Sequence, residues 1–140
     1  MDLSRVEIVI GKDAIHKLQS ASVAVVGLGG VGSYVAESLV RSGVGKLFLV
    51  DSDFIASSNI NRQLPALQST MGMSKTIVLR NRLLDINPEC SIDIYDKFYN
   101  PGDFDPQGFT ENVIQEVVPA TARIVVGQGI AAIPNAWKGV

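Results

Sequence analysis

Four glycines, two acids and a cluster of amide and cationic side chains stand out in this sequence as groups able to do chemistry. Gly27, Gly29, Gly30 and Gly32 fall in G-x-G-G-x-G spacing inside "VAVVGLGGVGSYVAESLVRSGVGKLFLVDSD", which ends on Asp51 and Asp53. Further on, "SNINRQ" places Asn59, Asn61, Arg62 and Gln63 within five residues, and "GMSK" ends on Lys75. Glycines at this spacing suit an anion. Gly27 lets the chain turn sharply out of a strand, Gly29 and Gly30 let backbone amides approach a phosphate with no Cβ in the way, and Gly32 lets a helix pack closely on a sheet. The start of that helix adds unpaired N–H groups and partial positive charge. Asp51, about 20 residues further on, can accept hydrogen bonds from ribose hydroxyls. Packing alone could employ four glycines, but the strand before them, the helix after them and the acid beyond point together to a nucleotide.

Two chemistries then compete. A nicotinamide-dependent oxidoreductase accounts for everything up to Asp51, because an acid there selects an unphosphorylated ribose. It leaves residues 59–75 unexplained. Arginine grips a phosphate with two parallel donors, asparagine orients ribose or phosphate oxygens, and lysine supplies a mobile point charge. Three such anchors around one crevice suit a triphosphate better than a dinucleotide, and they would neutralise charge during attack on phosphorus.

The elements that must hold these groups follow from periodicity. "VEIVIG" reads as an entry arm and "KDAIHKLQSA" as a short helix after an Asp13 cap. "SVAVVG" is small and β-branched throughout, as in a strand buried on both faces of a parallel sheet. Val31, Val35, Leu39 and Val40 repeat with helical period over 31–42, and Gly43 stands where a helix end wants a left-handed residue. "KLFLVD" is a second buried strand, so strand, glycine loop, helix and strand form one right-handed crossover unit. Residues 52–74 read as a long loop or a pair of short turns, and loops of that length carry function. A helix over 75–87 stops at Pro88, and "SIDIYDKF" alternates as a strand with one exposed side. "FTENVIQEVV" reads as a short helix and "ARIVVGQGI" as a last strand. The expected fold is a Rossmann-like, mostly parallel α/β sheet flanked by helices. One domain fills 1–140: entry arm and helix 1–21, nucleotide-binding core 22–98 and a divergent segment 99–140.

Composition sets the outer bounds. With 140 residues, of which 46% are hydrophobic, there is material for one core. The net charge of -2 gives no overall basic field, although Arg62, Lys75, Arg80 and Arg82 follow one another with no acid between them and suggest a face attractive to polyanions. One cysteine, Cys90, excludes an internal disulfide and zinc sites built on paired C-x-x-C motifs. No stretch reaches the ~20 apolar residues of a membrane helix and none resembles a signal peptide. The expectation is a cytoplasmic protein without membrane contact.

The same motifs, across roughly residues 5–98, resemble the ubiquitin-activating-enzyme-like superfamily, adenylating enzymes that include the ThiF-type sulfur-carrier adenylyltransferases. "NINRQ" and "RVEIVIG" are most similar to its tRNA threonylcarbamoyladenosine dehydratase branch. The resemblance implies ATP and Mg2+ as cofactors. It places Gly27, Gly29, Gly30 and Gly32 around the phosphates, Asp51 on the ribose, and Asp53, Asn59, Asn61, Arg62, Gln63 and Lys75 about the nucleotide. Arg62, Lys75 and Arg5 are then the catalytic residues, Arg5 reaching across a homodimer to the partner's nucleotide. It further implies activation of a carboxylate as an acyl-adenylate, with tRNA as partner, or a sulfur-carrier protein in the alternative branch. Outside the superfamily, the competing readings are the oxidoreductase and a catalytically silent nucleotide-binding partner.

One departure bears on turnover. Relatives continue into a strand ending in a magnesium-binding aspartate, whereas this sequence has no Asp after Asp105. The expectation is a shortened or rearranged relative that keeps nucleotide binding and loses turnover unless Asp53 or Glu116 substitutes. The bland readings elsewhere are packing for Cys90, a surface position for His16 and a solvated helix face for Arg80 and Arg82. Arg5 could pair with Asp2 or Glu7, and Phe109 and Trp137 read as core residues.

Overall fold

The runs "SVAVV", "KLFLV" and "SIDIY" become three parallel strands, β1 (Ser22–Val26), β2 (Lys46–Val50) and β3 (Ser91–Tyr95), hydrogen-bonded in the order β1-β2-β3. The computed structural model describes residues 1–97, so the helix and strand expected further on, with Glu116, Phe109 and Trp137, lie outside the described residues. Two helices precede the sheet, α1 (Ser4–Ile10) and α2 (Lys12–Ser20), and two cross over between strands, α3 (Gly32–Arg41) and α4 (Lys75–Ile86). The fold is α/β and Rossmann-like.

Strand order and crossover hand decide where the core sits. Two successive right-handed crossovers moving in one direction along a sheet put both helices on one face. That face is built from alternate strand residues, Val23 and Val25, Leu47 and Leu49, and Ile92, packed against Ala36 and Val40 of α3 and Leu79 and Leu83 of α4. Each buried leucine there contributes about 2–3 kcal/mol. The expectation that β1 is buried on both faces is corrected: Ser22, Ala24 and Val26 are only half-buried, because among the described residues helices pack on one side. On the other face Phe48 stacks on Tyr95 at 6.3 Å between ring centroids, and the Lys46 ammonium lies 4.6 Å from the Phe48 ring centre.

Helix α3 stops where its sequence says it should. Gly43 takes a φ of 93°, and the N–H groups of Gly43 and Val44 donate back to the carbonyls of Val40 and Leu39, closing the last turn in a Schellman pattern. Helix α4 is held at its start by Asp96, just beyond β3, whose carboxylate accepts from the hydroxyls of Ser74 and Thr76. The two crossover helices are clasped by Glu37, which accepts from Arg82 at 2.6 Å and from Arg41 at 2.8 Å.

Three further expectations change. The entry arm is itself helical, as α1, with Ile8 and Val9 each 81% exposed. Asp13 does not cap α2: Gly11 occupies that position, and its φ of 82° explains why a glycine serves there. The run of positive side chains is only partly free. Lys75 pairs with Asp53, Arg82 pairs with Glu37, and Arg80 donates to the carbonyl of Ile92. Sequence neighbours on a helix point in different directions, and acids from other elements reach Lys75 and Arg82.

Candidate functional site

The site lies where the parallel strands finish. Val50 ends β2 and its carbonyl accepts from Gly27, so the glycine loop leaves the sheet edge-on to the segment that begins at Asp51. Gly27 has a φ of 82°, a conformation that suits the turn and that side-chained residues rarely adopt. At Gly32 a Cβ would stand 1.8 Å from the Gly27 carbonyl oxygen, so no other residue fits the first turn of α3. This contact wraps the loop around the helix start. The amide N–H groups of Gly29, Gly30 and Val31 have no hydrogen-bond partner among the described residues. Unpaired amides ahead of a ten-residue helix form an anion cradle.

Asp51 locks the loop to the strand end. One of its carboxylate oxygens accepts from the Leu28 amide at 2.6 Å and the other from the Asp53 amide at 2.8 Å. The carboxylate expected at a ribose thus also fixes the shape of the glycine turn. Asp53 in turn accepts from the Lys75 ammonium at 2.7 Å. The pair is asymmetric: the Lys75 side chain is 5% exposed and that of Asp53 is 65% exposed. Lys75 is therefore tied to the glycine loop through Asp53 and Asp51, with its charge drawn inward.

Arg62 comes to the same place from the loop that follows. Its Cγ and its carbonyl oxygen each lie 3.3 Å from where a Gly30 Cβ would stand, so the missing side chain of Gly30 makes room for it. The Arg62 guanidinium donates to the Ser58 carbonyl at 2.8 Å and to the Asn61 side-chain oxygen at 3.0 Å, and among the described residues it has no acidic partner. Asn59 acts locally, its side-chain oxygen accepting from the Ala56 amide at 3.0 Å and its carbonyl accepting from the Arg62 and Gln63 amides. It shapes the short 3-10 turn over Ser57–Asn59 that presents Arg62. Gln63 is buried, and its side-chain oxygen has no partner among the described residues.

Sequence reasoning missed Ser33. It is fully buried, its hydroxyl donates to the Gly29 carbonyl at 2.6 Å, and the Leu64 amide donates to that hydroxyl at 3.3 Å. The available signal was a small hydroxyl residue directly after the last glycine.

Arg5 is not brought to this site within the chain. The Leu3 side chain covers Gly43, which leads into the start of β2, while the glycine loop follows the far ends of the strands. Five strand residues span about 16 Å, so Arg5, two residues from Leu3 on exposed α1, sits at the opposite end of the sheet. No ion pair to Asp2 or Glu7 forms: the Asp2 carboxylate instead accepts from the Ser4 amide, which lowers its pKa. Cys90 is buried with its Sγ 3.3 Å from the Val44 carbonyl, and burial raises its thiol pKa, as suits a packing role. His16 lies on the surface.

Magnesium does not find a self-contained centre here. Among the described residues no group of three or more His, Cys, Asp or Glu side chains could hold a metal ion. Both Asp51 oxygens already accept amides, and Asp53 faces Lys75. What these residues offer a phosphate is amides and side-chain cations. Among them, too, no helix is long and apolar enough to cross a membrane.

A family model described as the ThiF family matches residues 3–126. The chain is 50% identical over 96 residues to the tRNA threonylcarbamoyladenosine dehydratase of Bacillus subtilis (strain 168), covering 69% of this chain and 38% of that protein. It is 43% identical over 84 residues to the adenylyltransferase and sulfurtransferase MOCS3 of Drosophila virilis, covering 60% of this chain and 19% of that one. Its structure is similar to that of the E. coli tRNA N6-threonylcarbamoyladenosine dehydratase TcdA in complex with ATP, with a TM-score of 0.70 at 36% identity, over 81% of this chain and 43% of that chain. The chain thus spans less than half the length of these relatives. With the glycine cradle, the acid at the strand end and the arginine loop in one crevice, the family match over residues 3–126 establishes that this chain belongs to the ThiF family.

Proposed function

We propose that this chain binds ATP at the glycine loop and activates a carboxylate as an acyl-adenylate, in the manner of a tRNA threonylcarbamoyladenosine dehydratase. The observation that carries the reading is the packing of Arg62 against Gly30, which sets a guanidinium without an acidic partner beside open amides. The α- and β-phosphates would lie on the amides of Gly29, Gly30 and Val31, with the ribose toward Asp51. Arg62 and Lys75 would face the outer phosphoryl groups, Lys75 exchanging Asp53 for phosphate oxygen, with Asn61 and Gln63 lining the same crevice. A substrate carboxylate oxygen bonds to the α-phosphorus, the bridge to the β-phosphate breaks, and pyrophosphate leaves with the electron pair. An amide nitrogen or oxygen of the same acyl group then closes a ring and AMP departs. Positioning and charge neutralisation are the protein's main contributions to such a reaction.

Two features support a homodimer in which Arg5 serves the partner's nucleotide. Arg5 lies at the wrong end of its own sheet, and α1, which carries it, exposes Ile8 and Val9. The magnesium that accompanies ATP would need a carboxylate beyond those described.

The test is ATP-dependent pyrophosphate exchange by the purified chain, with threonylcarbamoyl-modified tRNA and, separately, with a sulfur-carrier protein. Exchange with the tRNA alone is the expected result where a carboxylate outside the described residues, such as Glu116, holds the magnesium, and ATP binding without exchange on either substrate makes the chain the catalytically silent nucleotide-binding partner. Exchange with the carrier alone moves the chain to the sulfur-carrier branch, a reading favoured by its likeness to MOCS3. A chain that binds NAD in preference to ATP is an oxidoreductase instead.

A further inference from the structure

We infer that Ser33 is a positioning residue of the phosphate cradle, and that its one hydroxyl sets both the Gly30 amide and the loop carrying Arg62; this rests on the ATP-binding reading above. The Gly29 carbonyl accepts twice from Ser33, from the amide at 3.2 Å and from the hydroxyl at 2.6 Å. A peptide unit is planar and trans, so the carbonyl of Gly29 and the N–H of Gly30 point in opposite directions. Anchoring the carbonyl toward α3 therefore holds the Gly30 N–H outward, ahead of the helix, where an anion is stabilised. Glycine on both sides of that peptide leaves it otherwise free to rotate.

The oxygen that donates to Gly29 also accepts from the Leu64 amide at 3.3 Å. Leu64 stands two residues beyond Arg62, whose stem rests on Gly30. One buried hydroxyl thus ties the amide side of the cradle to its guanidinium side. Ser33 is fully buried, out of reach of bulk water. It touches no ligand and acts through Gly30 and Arg62.

The experiment compares the full chain with Ser33→Ala against adenosine, AMP and ATP. Binding is read by calorimetry and by the 15N–1H shift of the Gly30 amide. The expected result is that Ser33→Ala weakens AMP and ATP roughly threefold to tenfold, the range for one lost hydrogen bond, and leaves adenosine unchanged. The Gly30 shift on adding ATP shrinks in parallel. Ser33→Cys, which keeps a weak donor of similar size, recovers part of the loss and serves as the test variant if Ser33→Ala does not fold. Equal weakening of all three ligands overturns the inference, since a general loss of structure would do that. So does unchanged ATP affinity in a folded variant. Failure of the unaltered chain to bind ATP overturns the nucleotide reading itself, and this assignment with it.

Discussion

Breaking the Asp53–Lys75 pair from its two sides should have unequal consequences. The Lys75 side chain is 5% exposed and the Asp53 side chain 65%, at a separation of 2.7 Å. Asp53→Ala leaves a buried ammonium with no acceptor, and a buried donor left unsatisfied costs about 1–3 kcal/mol. Lys75→Met keeps the apolar stem and leaves a carboxylate that water already solvates, so only an exposed-type ion pair is lost, about 0–1 kcal/mol. Urea denaturation of the full chain reads the difference, provided the slopes match. ATP extends the test, because phosphate oxygen would give the stranded ammonium a new partner. At 100 times its dissociation constant a ligand stabilises by about 2.7 kcal/mol, and Asp53→Ala should gain more from ATP at a given concentration than the unaltered chain gains. Lys75→Met should gain less. If Lys75→Met is the more damaging variant in the absence of ATP, the inward-drawn charge is misassigned.

Gly32→Ala should not fold: with the new carbon 1.8 Å from the Gly27 oxygen, the penalty exceeds about 4 kcal/mol, and a variant with an unaltered circular dichroism melt would contradict the packing described. Arg82, and after it Arg41, hold the Glu37 carboxyl below its ordinary pKa. A depressed folded pKa stabilises above the unfolded value and ceases to do so as pH falls through the folded value. The advantage of the unaltered chain over Glu37→Gln should therefore be full near neutral pH and fade on acidification below the usual glutamate range; an advantage independent of pH in paired denaturation series would refute the clasp. Cys90 should react with a thiol reagent only as fast as the sheet end opens, at a rate that rises in parallel with urea, and rapid labelling of the native chain would contradict its burial.

The sequence shows the crossover unit because each of its signals is local. The apolar runs, the glycine spacing and Gly43 act within a few residues, and among the described residues the three strands and the two crossover helices stand where periodicity puts them. Partners distant in sequence were not visible. Asp96 and Thr76, Glu37 and Arg82, and Ser33 and Leu64 meet only once the sheet is assembled, and no spacing rule links them. The expected basic face is half neutralised for the same reason: Asp53 reaches Lys75 and Glu37 reaches Arg82 from other elements, while among the described residues Arg62 and Arg80 meet no acid. Helix α1 was hidden by its composition: "VEIVI" is β-branched and apolar, which favours a strand by propensity, yet it folds as a helix. Residue types in the site were legible, but their division of labour was not. Asn59 reads in the sequence only as a ligand, and the structure adds that its side-chain oxygen supports the turn beneath Arg62.

The decisive measurement is calorimetric titration of the full chain and of Arg62→Ala with ATP and with NAD. The unaltered chain should prefer ATP. Removing the guanidinium beside Gly30 should cost about 1.5–3 kcal/mol of ATP binding, the range for a charge-assisted contact, with little effect on NAD. Equal affinity of the two proteins for ATP, or a preference for NAD, would contradict the placement of a triphosphate between Gly30 and Arg62.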